Sequence, residues 1–168
     1  MLKDELEPLL TLRNLTHLKI FCCFEGNLRD GQLMRMVTAW PCLQKLELQP
    51  YWSGDISVTP KGMVFIVEHC QKLRELTVPF RFNPPEGSGD AICNHNLTTL
   101  DVRYSVVNDP AATAAFLANI LPNLQEIRSW DKDGQSTVLV FQEQWDEVLG
   151  LVKDLKRVHE QESAMSHP

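Results

Sequence analysis

Cysteine and histidine side chains could bind a metal or act as nucleophiles, and this sequence has five of each. A structural zinc site needs four ligands, which usually come in closely spaced pairs such as two CxxC motifs, whereas HExxH marks a catalytic zinc. Neither pattern is present. Cys93-Asn94-His95 is the only tight Cys/His pair, and no second pair lies close to it. We therefore predict no metal and no cofactor.

Catalysis by a cysteine requires a histidine that faces the thiol and is itself held by a third group. His69 and Cys70 are adjacent, but neighbours on a helix point in different directions. The segments GSGD at 87–90 and DKDGQ at 131–135 lack the ligands of phosphate and calcium loops, and we interpret both as turns. We predict no catalytic residues. An enzyme is the last of three hypotheses about function. A strongly lowered thiol pKa at Cys70 or Cys93 would favour it.

Composition excludes several classes of partner. The 168-residue chain has a net charge of −6 and no cluster of basic residues, which argues against nucleic acid. No apolar run approaches the length that crosses a membrane, and the acidic N-terminus does not resemble a signal peptide. An odd number of cysteines favours free thiols in a reducing compartment. We expect the protein in the cytoplasm, the nucleus or both.

The hexapeptide LRELTV, which begins at Leu73, recurs along the chain. The other copies are LTHLKI from Leu15, LQKLEL from Leu43, LTTLDV from Leu97 and LQEIRS from Leu124. Successive first leucines are 28, 30, 24 and 27 residues apart, which is close to the period of leucine-rich repeats. In each copy the first and fourth residues are apolar, and in all but the last copy the sixth is apolar too, so the spacing changes from three to the two that is typical of a strand.

The segments between the copies predict short amphipathic helices. Their predicted N-caps are Asp30, Thr59 and Asp109, which precede the next strand leucine by 13, 14 and 15 residues. Proline follows the second and third caps, at the first helical position. Trp40, Cys70 and Leu121 each lie three residues before a strand leucine, so we expect all three to be buried, Cys70 as a small hydrophobe.

This pattern predicts an α/β leucine-rich-repeat solenoid, a short horseshoe over residues 1–160. We expect a parallel sheet of about five strands with helices on its convex side. The fourth repeat is irregular around 81–97, where prolines and glycines replace a capped helix. Helical spacing from Trp145 to Leu155 predicts a capping helix over about 142–159, followed by a disordered tail at 161–168. The N-terminal segment could be the remnant of an earlier helix, so we expect this chain to be the end of a longer array of repeats.

Several repeats and the C-terminal ending resemble a known family. The repeats are EHCQKLRELTV, DGQLMRMVTAWPCLQKLEL and TPKGMVFIVEHCQKLRELTV, and the ending is QEQWDEVLGLVKDLKRVHEQE. They look like the leucine-rich-repeat C-terminal region of F-box proteins from mushroom-forming fungi, over roughly residues 12 to 160. The resemblance implies the substrate-recognition part of a ubiquitin-ligase subunit. No stretch of this chain resembles the F-box that docks onto the ligase adaptor. A standalone repeat scaffold or regulator, without a ligase link, is the alternative.

Equivalent positions of stacked parallel strands form rows across the sheet, about 4.8 Å apart. The first outward row is His17, Lys45, Glu75, Thr99 and Glu126, the second is Lys19, Glu47, Thr77, Asp101 and Arg128, and the third is Phe21, Gln49, Pro79, Arg103 and Trp130. Neighbours of opposite charge predict three ion pairs, Lys45 with Glu75, Lys19 with Glu47 and Asp101 with Arg128. Such pairs could simply solvate the face.

Aromatic residues and arginine dominate binding hot spots, and the third row contains both. Tyr51 and Trp52 follow the second strand in the same region. We predict that a protein client binds the concave face or this strand-end edge; the alternative is that Phe21 and Trp130 pack under the following loops. The predicted partner-binding residues are Phe21, Lys45, Glu47, Tyr51, Trp52, Glu75, Asp101, Arg103, Arg128 and Trp130.

Overall fold

The computed structural model describes residues 7–22, 29–50, 58–79, 81–82, 92–129 and 138–165. Helices and strands alternate along most of this part of the chain. The elements are α1 Glu7–Leu10, β1 His17–Cys22, α2 Asp30–Ala39, β2 Lys45–Pro50, α3 Pro60–His69, β3 Glu75–Thr77, β4 Thr99–Arg103, α4 Pro110–Ile120, β5 Glu126–Ser129 and α5 Val138–Met165. We number the units one to five after their strands.

The five strands form one sheet in the order β1-β2-β3-β4-β5, with every neighbouring pair parallel. The prediction of an α/β protein with a five-stranded parallel sheet is confirmed. One side of each strand is apolar and packs with the helices, which places the core between the sheet and the helices. The central inward residues of the last four strands are fully or almost fully buried. They are Leu46, Leu76, Leu100 and Ile127.

The strands are joined by the same hydrogen-bond pattern at every step. Two successive N–H groups at the start of each strand donate to a single carbonyl at the start of the strand before it, with N···O distances of 2.7 to 3.2 Å. The accepting carbonyls belong to Thr16, Gln44, Arg74 and Thr98. Because the pattern also holds at unit four, the irregular segment before β4 does not disturb the stacking of the strands.

Two of the three predicted helix caps are confirmed. The Thr59 side chain accepts a hydrogen bond from Lys61 N at 3.2 Å, and Asp109 accepts one from Ala112 N at 2.9 Å. Asp30 was wrongly predicted as a cap, because Arg29 occupies that position. The Asp30 carboxylate instead accepts hydrogen bonds from the N–H and the hydroxyl of Thr59, at 2.9 and 2.6 Å. It therefore joins unit two to unit three.

Three residues that each lie three positions before a strand leucine are buried as predicted, and each ends its helix. Trp40, Cys70 and Leu121 have no solvent exposure. The Trp40 indole N–H donates to the Leu9 carbonyl at 2.9 Å, and the Cys70 thiol lies 3.8 Å from the Trp40 carbonyl. Side chains at this position thus reach back to the preceding unit.

Asn94 occupies the same position in unit four, three residues before Leu97. In the other units the N–H of the strand leucine donates to a backbone carbonyl three residues earlier, whereas Leu97 N donates to the Asn94 side-chain oxygen at 3.1 Å. The Asn94 amide nitrogen donates to the Cys70 carbonyl at 2.9 Å, and its backbone N–H donates to the Ile120 carbonyl at 2.8 Å. The buried Asn94 side chain thus closes the turn of unit four and contacts unit three, while its backbone N–H contacts unit five.

Helix α5 covers the C-terminal end of the stacked units. Trp145 is fully buried, and its indole N–H donates to the Ser105 carbonyl at 2.9 Å. Its ring meets the ring of Phe82 edge-on, with 6.0 Å between centroids. The helix extends beyond the predicted 142–159 at both ends. Residues 161–165 are helical, which corrects the prediction that a disordered tail begins at 161.

Candidate functional site

The sheet face opposite the helices carries an open groove of about 350 Å³. The first two predicted rows have the expected register on all five strands. Alternation along each strand sends one set of side chains into the core and the next into this groove. The groove is lined by Lys19, Lys45, Glu47, Gln49, Glu75, Leu76, Thr77, Thr99, Asp101, Arg103 and Arg128.

A chain of ion pairs crosses the first three strands. Glu47 contacts Lys19 at 2.6 Å and Lys45 at 3.2 Å, and Lys45 also contacts Glu75 at 2.6 Å. The two ion pairs predicted here are therefore present. Hydrogen bonds to Glu75 and Glu47 raise the pKa of Lys45. Burial would raise the pKa of Glu47, but hydrogen bonds and charge attraction from both lysines outweigh it and lower that pKa.

At β4 the groove has a different character, because its carboxylate is buried. Asp101 is 8% exposed, and burial raises its pKa. Its Oδ1 accepts a hydrogen bond from Arg103 N at 3.0 Å and lies 3.6 Å from Arg103 Nε. These contacts to Arg103 favour the charged form but do not overcome the burial. The groove thus contains one carboxylate whose pKa is raised above its ordinary value.

Arg103 has a φ of 53°, a left-handed conformation that is uncommon for residues other than glycine. It coincides with a bulge that shifts the register between β4 and β5, so Arg103 pairs with Ser129. The predicted pairing with Trp130 is wrong. Strain of this kind is often found at functional sites. The strained residue here lines the groove and places its guanidinium near Asp101.

The predicted ion pair between Asp101 and Arg128 is wrong, although the two residues are partners in the register. Arg128 donates two hydrogen bonds to Glu126, at 2.8 and 2.7 Å, within its own strand. The guanidinium therefore lowers the pKa of Glu126. Charge pairing on the last two strands is local, whereas on the first three strands it crosses between units.

The third row is not continuous across the sheet. Phe21 pairs with Gln49 as predicted, but β3 ends at Thr77, and Pro79 is buried beyond that end. Phe21 is 63% exposed, with Lys19 Nζ 4.8 Å from its ring centroid. The loop-packed alternative is therefore wrong for Phe21. Tyr51, Trp52 and Trp130 lie outside the described residues.

Six of the ten predicted partner-binding residues line one groove. They are Lys45, Glu47, Glu75, Asp101, Arg103 and Arg128. The prediction omitted Lys19, Gln49, Thr77 and Thr99, which also line it and belong to the aligned rows. Register alone could have found all four. Leu76, whose strand position faces inward, could not have been found that way.

The cysteines show three different environments. Burial raises the pKa of the Cys70 thiol to about 12, which argues against its use as a nucleophile. Cys42 lies 3.8 Å from Lys72 Nζ, and Cys93 Sγ lies 3.1 Å from His95 Nε2. Among the residues that the structure describes, no group of three or more His, Cys, Asp or Glu side chains could hold a metal ion. The segments 87–90 and 131–135 are outside this part of the chain.

Comparison with known proteins finds no match: no family model, no curated protein and no solved structure matches this chain. No helix in the described part of the chain is long and apolar enough to cross a membrane. Function must therefore be inferred from the chain's own residues and their arrangement.

Proposed function

We propose that this chain is a leucine-rich-repeat solenoid that works as a protein-interaction module in the cytoplasm or nucleus. The observation that carries the proposal is the open groove, built from equivalent positions of five parallel strands. The identical hydrogen bonds at the four strand entries support a repeated unit, because each unit meets the next in the same way. Such stacking produces a broad face that a protein client can contact at several strands.

The chemistry of the groove suits a protein client. Its charged side chains are already arranged in pairs, so a ligand must match a pattern of both signs and not a single charge. Complementary charge patterns contribute specificity and association rate in protein interfaces. The exposed ring of Phe21, at the end of β1, adds an aromatic contact of the kind that is enriched in hot spots.

Resemblance to fungal F-box proteins supports a more specific role, as the substrate-recognition part of a ubiquitin-ligase subunit. A standalone repeat scaffold without a ligase link is the second candidate, because this chain contains no stretch similar to an F-box. The two differ in what accompanies the groove in cells. Intact-mass measurement of the endogenous protein, isolated with its partners, separates them. A larger polypeptide with an F-box and bound ligase adaptor supports the first, and a species near 19.2 kDa without adaptor supports the second.

Groove binding can be tested by reversing the charges of one internal pair. A client would first be identified by crosslinking in the protein's own cells and then purified. Lys45→Glu and Glu75→Lys should each weaken its binding by about tenfold, since each reverses one charge of a complementary pattern. The double exchange should restore the ion pair between positions 45 and 75, though not the contact of position 45 with Glu47, and should not restore client binding.

A matched ion pair on the helix side provides the control. Arg35 and Glu7 are similarly exposed and lie 2.5 Å apart. Exchanging their charges should leave client affinity unchanged. The proposal is wrong if the Arg35/Glu7 exchange weakens binding as much as the groove variants, or if the groove variants have no effect.

A further inference from the structure

Cys93 and His95 form a close thiol–imidazole pair on the segment that leads into β4. Cys93 Sγ lies 3.1 Å from His95 Nε2. Cys93 is half-buried and His95 is exposed, so the pair is open to a small reagent from solvent. The pair lies apart from the groove, at the opposite end of β4 from Arg103.

The backbone around this pair is fixed by hydrogen bonds to three other segments. Asn94, between the two residues, donates to the carbonyls of Cys70 and Ile120 at 2.9 and 2.8 Å. The His95 carbonyl accepts a hydrogen bond from the side chain of Asn123 at 2.8 Å. The backbone that carries the Cys93 and His95 side chains is thus held by contacts with units three and five.

Such a pair has the geometry of an activated nucleophile, because an adjacent base can accept the thiol proton. The two other thiols with described surroundings lack this feature. Cys70 is fully buried, and its thiol faces backbone carbonyls. Cys42 faces the ammonium of Lys72, which can stabilise a thiolate but has no lone pair with which to take its proton.

The geometry points to modification of Cys93, not to catalysis by it. Catalytic cysteine sites use a third group to hold the far side of the imidazole. Among the contacts of the described residues, none holds His95 Nδ1. The pair can therefore activate one thiol without orienting a substrate.

We propose that Cys93 is a site of reversible S-thiolation by small disulfides of the glutathione class. His95 Nε2 accepts the proton of the Cys93 thiol, and the thiolate attacks one sulfur of the disulfide. The disulfide bond of the reagent breaks while a bond from Cys93 Sγ to that sulfur forms. The departing thiolate takes a proton from the imidazolium, so that Cys93 is oxidised and one thiol is released.

The experiment exposes the reduced full-length protein to oxidised glutathione and measures the initial rate at each cysteine by peptide mass spectrometry. Cys93 should react at least about tenfold faster than Cys42, the thiol without a base. His95→Gln should slow Cys93 by a similar factor while Cys42 keeps its rate. His69→Gln removes another exposed histidine and should change neither rate.

Melting curves establish that the variants are folded, and the comparison of Cys93 with Cys42 in the unmodified sequence needs no variant at all. The proposal is overturned if Cys42 reacts as fast as Cys93. It is equally overturned if His95→Gln leaves the Cys93 rate unchanged.

Discussion

Gly62 lies where helix α3 passes close to Asp30 of the preceding unit. A Cβ added at Gly62 would overlap Asp30 Oδ1 and approach Val58 Cγ1 to 3.1 Å. The Asp30 carboxylate cannot move away freely, because the backbone and the hydroxyl of Thr59 both donate to it. A glycine is therefore needed here for close packing between units.

We expect Gly62→Ala to lower the free energy of unfolding by about 1 kcal/mol, since overpacking outweighs the better helix propensity of alanine. Gly150→Ala is the matched control, because nothing lies within 4 Å of a Cβ at that helical position. It should raise the free energy of unfolding by about 0.5 to 1 kcal/mol. Urea unfolding measures both, and a stabilised Gly62→Ala variant would contradict the close approach.

Ionisation of two carboxylates in the groove should change the stability of the folded state in opposite directions. Burial raises the pKa of Asp101, so ionisation of Asp101 destabilises the folded state as pH rises through that pKa. The lysines lower the pKa of Glu47, so its charge stabilises the folded state and that contribution is lost as pH falls through the folded pKa.

Asp101→Asn should therefore be more stable than the unmodified protein at neutral pH, and the difference should vanish in acid. Its amide oxygen can still accept the hydrogen bond from Arg103 N. Glu47→Gln should be less stable at neutral pH, with a difference that also vanishes in acid. Urea unfolding at a series of pH values tests both, and differences of the same sign would show that the two environments are wrongly assigned.

At the scale of elements, the residue three positions before the strand leucine joins units two, three and four each to the unit before it. Trp40, Cys70 and Asn94 all direct a side-chain donor towards a backbone carbonyl of the preceding unit. The terminal carbonyls of a helix have no partner within the helix and need one from elsewhere. Three different side chains thus perform the same task in units two, three and four.

Asn94 tests this role, since it also replaces a backbone carbonyl in its own turn. Asn94→Leu keeps the number and branching of the side-chain heavy atoms and introduces the residue found at this position in unit five. It should lower the free energy of unfolding by about 1 to 3 kcal/mol, because it leaves the buried Leu97 N without its partner. It also removes the Asn94 hydrogen bond to the Cys70 carbonyl, which keeps only the bond from Leu73 N.

Asn96→Leu serves as the control for Asn94→Leu. The Asn96 side chain also donates to a carbonyl of unit three, that of Gln71 at 2.8 Å, but it is exposed, and water can replace it. Its loss should cost less than about 1 kcal/mol. Equal stabilities of the two variants, measured by urea unfolding, would refute the structural role of Asn94.

The sequence predicted the elements and two rows of the groove, because the spacing of strand leucines determines which residues align. It failed where a local distortion decides the contact. The left-handed Arg103 and its bulge replace Trp130 by Ser129 in the pairing. The prediction also failed where two carboxylates compete for one guanidinium, as Glu126 and Asp101 do for Arg128. Neither the bulge nor the choice of ion-pair partner can be predicted from the spacing of apolar residues along the chain.

At the scale of the whole molecule, the two edges of the sheet differ. Helix α5 covers the edge of the sheet at β5, and its residues Trp145, Val148 and Val152 are buried. In unit one, Leu15, Leu18 and Ile20 are only partly buried, although their equivalents in units two, three and four are buried. Because segments with few buried apolar contacts open more readily than the core, unit one should open most easily.

Hydrogen exchange tests this gradient with amides in equivalent positions. Lys45 N donates to the Thr16 carbonyl at 3.0 Å, and Thr99 N donates to the Arg74 carbonyl at 3.1 Å. The Lys45 amide should exchange faster, because its partner belongs to unit one. Trp145→Phe removes the bond to Ser105 and should speed exchange in β5 while leaving β1 unchanged. Equal protection of Lys45 and Thr99 would instead mean that all five units open together, as a single cooperative structure.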